Sequence, residues 1–291
     1  MTAQADFTLI NPQNGNLAFR LFYFDQKNPF SSVQRNNYYS LVWVLNGKGQ
    51  VKADFSAYEL RSGQLYAFSP YQPFLFDSHN LQGLAIHFHS DFFCIHKHAS
   101  DIACTVLFNN IYEAPFVSVD EHTAATFHLM LEQVKTEMQQ TALAQHELLI
   151  SYLKIFLITA SRLKAEQQPL ARQATQDLKE PFILQHLREA IEKDFRTKHS
   201  PADYADALNI SAKALAKLTK TYFNKTLSDL ISERIIIEAK RELYLTNKTI
   251  KEIAHGLGYR DEYYFSRFFK TNAAISPQLY RDTVGFGRGE S

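Results

Sequence analysis

Two short stretches of this chain place side chains that could read a polyanion. In GYRDEYYFSRFFK, residues 258–270, Tyr263, Ser266, Arg267 and Lys270 follow one another at steps of three, one and three, the spacing of a single helix face. On such a face Arg267 can donate two parallel hydrogen bonds to a guanine edge, Tyr263 and Ser266 can reach bases or phosphates, and Lys270 supplies charge. Fifty residues earlier Lys213, Ala216, Lys217 and Lys220 repeat the spacing. The complementary residues Tyr264, Phe265, Phe268 and Phe269, and Leu215 with Leu218 in the earlier copy, are the expected core sides. One exposed charged stripe is ordinary on a surface helix; two in register, each behind a turn, favour a nucleic-acid partner.

A third cluster offers different chemistry. HFHSDFFCIHKHASDIAC packs His87, His89, Asp91, Cys94, His96, His98 and Cys104 into eighteen residues. His87 and His89 would share a strand face and could chelate zinc with Cys94 or His96. The bland alternative is a strand that happens to be rich in histidine, and nothing in the spacing fixes a four-ligand set. No cofactor is expected.

The elements that must hold these residues divide the chain in two. Its 291 residues, 45% hydrophobic and 21% charged, suit about two globular domains. Up to about residue 119 short aromatic and β-branched runs (LAFRLFYF, SLVWVLNGKGQVKADF, QLYAFSP, LAIHFHS) are punctuated by NPQNG, NGKG, RSG and SPYQP, which predicts an antiparallel barrel or sandwich. From 120 to 166 the spacing becomes helical, with Phe127, Leu131, Val134 and Met138 on one helix and Leu149, Tyr152, Leu153, Phe156 and Leu157 on the next. At least one of these faces must pack on the sheet, which would leave the other for a second subunit. Residues 167–180, polar and containing Pro169, are the expected linker, and 181–291 is helical. An aromatic set, Trp43, Tyr66, Phe68 and Phe88, is a candidate small-molecule pocket or plain core.

The charge follows the same division. Residues 1–180 hold 13 Lys and Arg against 16 Asp and Glu, and residues 181–291 hold 18 against 14, so the C-terminal part is mildly basic. Two cysteines in so long a chain do not form a disulfide framework and read as thiols. The start of the chain has no basic-then-apolar leader, and the apolar stretch 148–160 is too short for a bilayer, so the expectation is a cytoplasmic protein with no membrane partner.

Within the C-terminal part YADALNISAKALAKLTK (204–220) aligns with IAHGLGYRDEYYFSRFFK (253–270): Ala205 with Ala254 and Leu208 with Leu257, then, after one inserted residue, Leu215 with Phe265 and Lys220 with Lys270. Ser200-Pro201 is a helix start, Thr249 or Asn247 could be the other, and Asn209 and Gly258 stand at turns that need a left-handed backbone. This is a helix-turn-helix pattern written twice, at about 200–223 and 249–271.

At these residues the chain resembles the AraC/XylS-type transcription regulators, over about 181–285. The resemblance is specific in TIKEIAHGLGYRDEYYFSRFFK followed by ISPQLYR and looser in NISAKALAKLTKTY followed by SERIIIEAKREL. It implies that Lys213, Ala216 and Lys217 face bases from the first recognition helix, and Glu262, Tyr263, Ser266 and Arg267 from the second. Where the family usually has a glycine after each recognition helix, this chain has Asn224 and Ala274, and alanine suits a left-handed backbone poorly. LSDLISERIIIEAKRELYL would be the long connecting helix, with Leu230, Ile231, Ile235 and Leu243 as core. The N-terminal part is similar to a cupin in SLVWVLNGKGQV and LRSGQLYAFSPYQPFLF, but no His-x-His precedes NGKGQ and Phe74 stands where a metal-binding cupin has histidine.

The expected fold class is therefore α+β: an N-terminal antiparallel, cupin-like β-barrel with a helical pair (residues 1–166), then an all-α tandem helix-turn-helix domain (181–291). The resemblance implies a sequence-specific transcription regulator and activator that binds double-stranded DNA as a homodimer, engages RNA polymerase and answers to a small-molecule effector in the N-terminal domain. The rival reading is a metal-dependent cupin enzyme, or a metal sensor, using His87 and His89.

Overall fold

The computed structural model describes residues 6–12, 15–54, 56–93, 95, 106–108, 111–140, 142–174 and 182–284, with backbone only for 168–174. The chain forms two compact units: Met1–Asn110 with Ala114–Gln168, and Pro169–Ser291 with Ile111–Glu113.

Among the described residues of the first unit nine strands pair antiparallel: β1 (Asp6–Ile10), β2 (Leu17–Phe24), β3 (Tyr39–Gly47), β4 (Gly49–Ala53), β5 (Ser56–Leu60), β6 (Gln64–Phe68), β7 (Phe74–Asp77), β8 (Leu81–Phe88) and β9 (Phe116–Ser118). They make a six-stranded sheet in the order β1-β2-β8-β3-β6-β9 and a three-stranded sheet in the order β5-β4-β7. Among the described residues the two ladders do not close into one hydrogen-bonded ring, so the β-rich domain is a pair of facing sheets. Phe22, Phe24, Phe30, Tyr66, Phe68, Phe74 and Phe76 form one buried cluster drawn from both sheets, and this bulk of rings holds them apart.

Because side chains alternate along each strand, the other face of the six-stranded sheet presents Phe19, Leu41, Trp43, Leu65, Ile86 and Phe88 to a second core. Helices α1 (Glu121–Met138) and α2 (Gln145–Ala174) cover it. Both helix faces enter this core: Phe127, Leu131 and Val134 from α1, and Leu149, Leu153, Phe156 and Leu157 from α2, with Phe127 and Phe156 stacked at 4.0 Å. The expectation that one face stays free for a second subunit is thus corrected, since a six-stranded sheet is wide enough to take both helices. Helix α2 also runs on through Pro169 to Ala174, into the segment expected as linker; LARQA consists of good helix formers. Residues 175–181 lie outside the described set.

The second unit is helical: α3 (Phe182–Asp194), α4 (Pro201–Ala207), α5 (Ala212–Phe223), α6 (Leu227–Leu245), α7 (Ile250–Gly256), α8 (Glu262–Ala273) and α9 (Pro277–Val284). Leu230, Ile231, Ile235, Ile236, Ala239 and Leu243 make the long α6 its hub, as the sequence predicts for four of them. Among the described residues no helix is long and apolar enough to cross a membrane.

Candidate nucleic-acid interface

Each copy of the repeat begins with a reciprocal cap. Ser200 Oγ accepts from Asp203 N–H at 3.3 Å while Asp203 Oδ2 accepts from Ser200 N–H at 3.1 Å; at the start of α7 Thr249 and Glu252 do the same, at 3.2 and 2.7 Å. The short helices then stop at the same bond one repeat apart, Ile210 N–H to Ala205 O at 3.1 Å and Tyr259 N–H to Ala254 O at 2.9 Å. The residues that make this possible are Asn209 at φ 52° and Gly258 at φ 83°. Ala205 and Ala254 are buried, small enough for the second helix to cross closely.

The second helices α5 and α8 open on Ser211 and Asp261, whose side chains accept from Ala214 N–H at 3.2 Å and Tyr264 N–H at 2.7 Å. Their exposure repeats with an offset of fifty. Leu215/Phe265, Thr219/Phe269 and the last-turn pair Phe223/Ala273 are buried, whereas Lys213/Tyr263, Lys217/Arg267, Lys220/Lys270 and Thr221/Thr271 are exposed. Phe265 and Phe269 are 0% exposed, each burial contributing about 2–3 kcal/mol of hydrophobic stabilisation that holds α8 on its neighbours. Both helices end on a left-handed residue, Asn224 at φ 56° and Ala274 at φ 65°.

Of the residues expected to meet DNA, Lys213, Ala216, Lys217, Lys220, Tyr263, Arg267 and Lys270 are exposed, while Glu262 and Ser266 are half-buried at the rim. Lys213, Lys217, Arg267 and Lys270 have no carboxylate partner among the described residues, so their charges face solvent. One expectation is corrected: Tyr264 is not core but 59% exposed, its ring 5.9 Å from Tyr259. It stands in the first turn of α8, beyond the reach of the core that covers Phe265 one step later. With Tyr263 at 71% the leading end of α8 shows two tyrosines rather than one.

The histidine cluster separates. His87 is on the inner face of β8, level with Arg20 and Ser40 on the adjoining strands, its ring stacked on Tyr38 at 4.6 Å and edge-on to Phe22 at 5.2 Å. Burial pushes its pKa down to about 3, so it is neutral near pH 7. His89 follows the end of the strand, where the chain turns: its carbonyl accepts from Phe92 and Phe93 N–H, and its Nδ1 accepts from Asp91 N–H at 3.2 Å. It lines a cleft of about 280 Å³ with Leu9, Asn11, Phe92 and His146. The two histidines therefore do not share a strand face, and no group of three metal-ligating side chains comes together among the described residues. Cys94 and His96 lie outside that set. The aromatic candidates also divide, Tyr66 and Phe68 between the sheets, Phe88 and Trp43 on the helix side, where Trp43 meets Phe127 edge-on at 5.7 Å.

Two second helices with matching exposed faces, each behind a tight turn and held by one long helix, define a tandem helix-turn-helix domain. Residues 204–283 match the family described as "Helix-turn-helix domain". Over 95 residues, 33% of the chain, it is 30% identical to the raffinose operon transcriptional regulatory protein RafR of Pediococcus pentosaceus, covering 34% of that protein. Over 104 residues, 34% of the chain, it is 32% identical to the HTH-type transcriptional activator Btr of Bacillus subtilis, covering 20% of it. The chain thus spans about a third or less of these two relatives. Among solved structures, the C-terminal domain of AraT, a response regulator from Geobacillus stearothermophilus, is 27% identical, covering 39% of this chain and 95% of that one, with a TM-score of 0.37.

Proposed function

We propose that the chain is a sequence-specific transcription regulator that binds double-stranded DNA through α5 and α8 and acts as an activator, not as an enzyme. The observation that supports this best is the repeated face: the same exposed positions, fifty residues apart, hold Lys213, Lys217 and Lys220 in one copy and Tyr263, Arg267 and Lys270 in the other. Lysines match phosphates as point charges, whereas a guanidinium fork and a phenol match base edges. The names of RafR and Btr agree with regulation, and that of Btr with activation. In this reading the protein works in the cytoplasm as a homodimer, contacts RNA polymerase, and answers to a small-molecule effector held by the first unit. A second subunit would have to dock elsewhere than on the buried faces of α1 and α2.

Selecting bound fragments from a random or genomic DNA pool tests the proposal directly. The expected result is one enriched motif with affinity that falls steeply as salt rises. Enrichment of no sequence, or binding indifferent to salt, would refute it.

A further inference from the structure

The two reading units are joined by more than α6. The loop between α3 and α4, residues 195–200, touches three parts of the domain at once. It is tied to the first helix-turn-helix, because the Tyr204 hydroxyl of α4 donates to Lys198 O at 3.0 Å and Ser200 caps that helix. It also lies on the turn of the second helix-turn-helix: the His199 ring packs on Tyr259 at 4.7 Å, and a Cβ added to Gly258 would stand 2.0 Å from Arg196 O. Gly258 is therefore required twice, by its φ of 83° and by this approach.

The loop is fixed to α6 by charge. Glu238, in the middle of α6 and only 4% exposed, takes three guanidinium groups: Arg196 at 2.7 Å, Arg241 at 3.0 Å and Arg234 at 3.4 Å. Arg234 also bonds Glu192 of α3 at 2.8 Å and lies 3.9 Å over the Phe195 ring. Burial alone would push the Glu238 carboxyl up, but the three arginines together hold it below the usual carboxylate range.

We propose that Glu238, acting through Arg196, is a positioning residue: it clamps the 195–200 loop between α4 and the α7–α8 turn and so fixes the separation and angle of the two recognition helices. The clamp then sets which spacing of the two DNA segments the chain accepts. This rests on the DNA-binding reading above and adds to it a determinant of specificity that touches no DNA.

The test uses the full chain and its selected site, compared with the same site carrying one base pair inserted between the segments read by α5 and α8. One inserted pair turns the second segment by about 35° and moves it about 3.4 Å. The wild-type chain should lose at least about tenfold in affinity, the size of a discriminating base change. Glu238→Gln should lower affinity for both sites yet shrink their ratio to about threefold or less, with Glu238→Asp restoring part of it. A mere loss of stability scales both sites equally and leaves the ratio alone. Should Glu238→Gln not fold, Arg196→Met, at a side chain 42% exposed, is read the same way. A folded Glu238→Gln or Arg196→Met with the wild-type ratio would overturn the proposal. A wild-type chain that binds no DNA would instead remove the function itself.

Discussion

Ala274 is an alanine in a conformation that suits glycine, and replacing it gives a test with an internal control. It closes α8 at φ 65°, ψ 0°, and Asn224 closes α5 at φ 56°, ψ 21°. A Cβ in the left-handed region costs roughly 1–2 kcal/mol, while glycine loses roughly 0.4–1 kcal/mol more chain entropy on folding. The balance predicts that Ala274→Gly stabilises the helical domain by about 1 kcal/mol. Asparagine tolerates the region far better than alanine, so Asn224→Gly should change stability by less than about 0.5 kcal/mol. For a domain of this size 1 kcal/mol is a rise in melting temperature of about 4–8 °C. Thermal melts followed by circular dichroism, with the DNA affinity of each variant measured alongside, would decide it. The affinity should stay within about twofold, because the residue lies after the reading face. If Ala274→Gly melts no higher than wild type, or if Asn224→Gly gains as much, then strain at the α8 terminus is not what separates the two ends.

Three further outcomes are expected. Arg267→Ala should cost about 1–3 kcal/mol on the selected site and relax preference at one base pair, as read by repeating the selection with the variant. Lys220→Ala should weaken all sequences about equally and reduce the slope of log affinity against log salt by about one, measured by fluorescence anisotropy. In the first unit His87 is neutral when folded, with a pKa of about 3 against an ordinary 6.5. The unfolded chain therefore binds the extra proton, and this unit should lose stability progressively as pH falls below 6.5. His87→Phe should flatten that dependence in melts between pH 7 and 4, and an unchanged slope would count against a buried neutral imidazole.

The tandem units were legible because their signals are local. Asn209 and Gly258 are the residue types that a left-handed turn admits, Ser200 and Thr249 are helix caps, and a 3.6-residue period separates Phe265 and Phe269 from Arg267. What was not legible depends on partners distant in the chain. Periodicity gives an angle around the α8 axis but not where the packed neighbour ends, so Tyr264 read as core although its first-turn position leaves it exposed. An apolar face on α1 or α2 shows that something covers it, not whether the cover is a sheet or a second subunit. The spacing of His87 and His89 assumes a strand through both, and β8 stops at Phe88. The junction at Glu238 was legible only in part: Arg234 and Arg241 stand four residues before and three after it on one expected helix and read as ordinary helix-surface pairs, while Arg196, which ties the loop to that carboxylate, lies far away in the chain.

The two recognition helices are equal in backbone and unequal in chemistry, and this gives the junction its importance. Along the first, Lys213, Lys217 and Lys220 surround Ala216, a face with charge but few groups that distinguish one base from another. Along the second, Arg267 and two exposed tyrosines can discriminate base edges and methyl groups. A helix that holds mainly phosphates contributes to specificity only if its position is dictated by the helix that reads. Phosphates recur at every step of the duplex, so a loosely attached first helix-turn-helix would find equivalent contacts after a shift of one base pair. Rigid attachment through Glu238, Arg196 and the turn at Gly258 removes that freedom and converts non-specific charge into a requirement for one spacing.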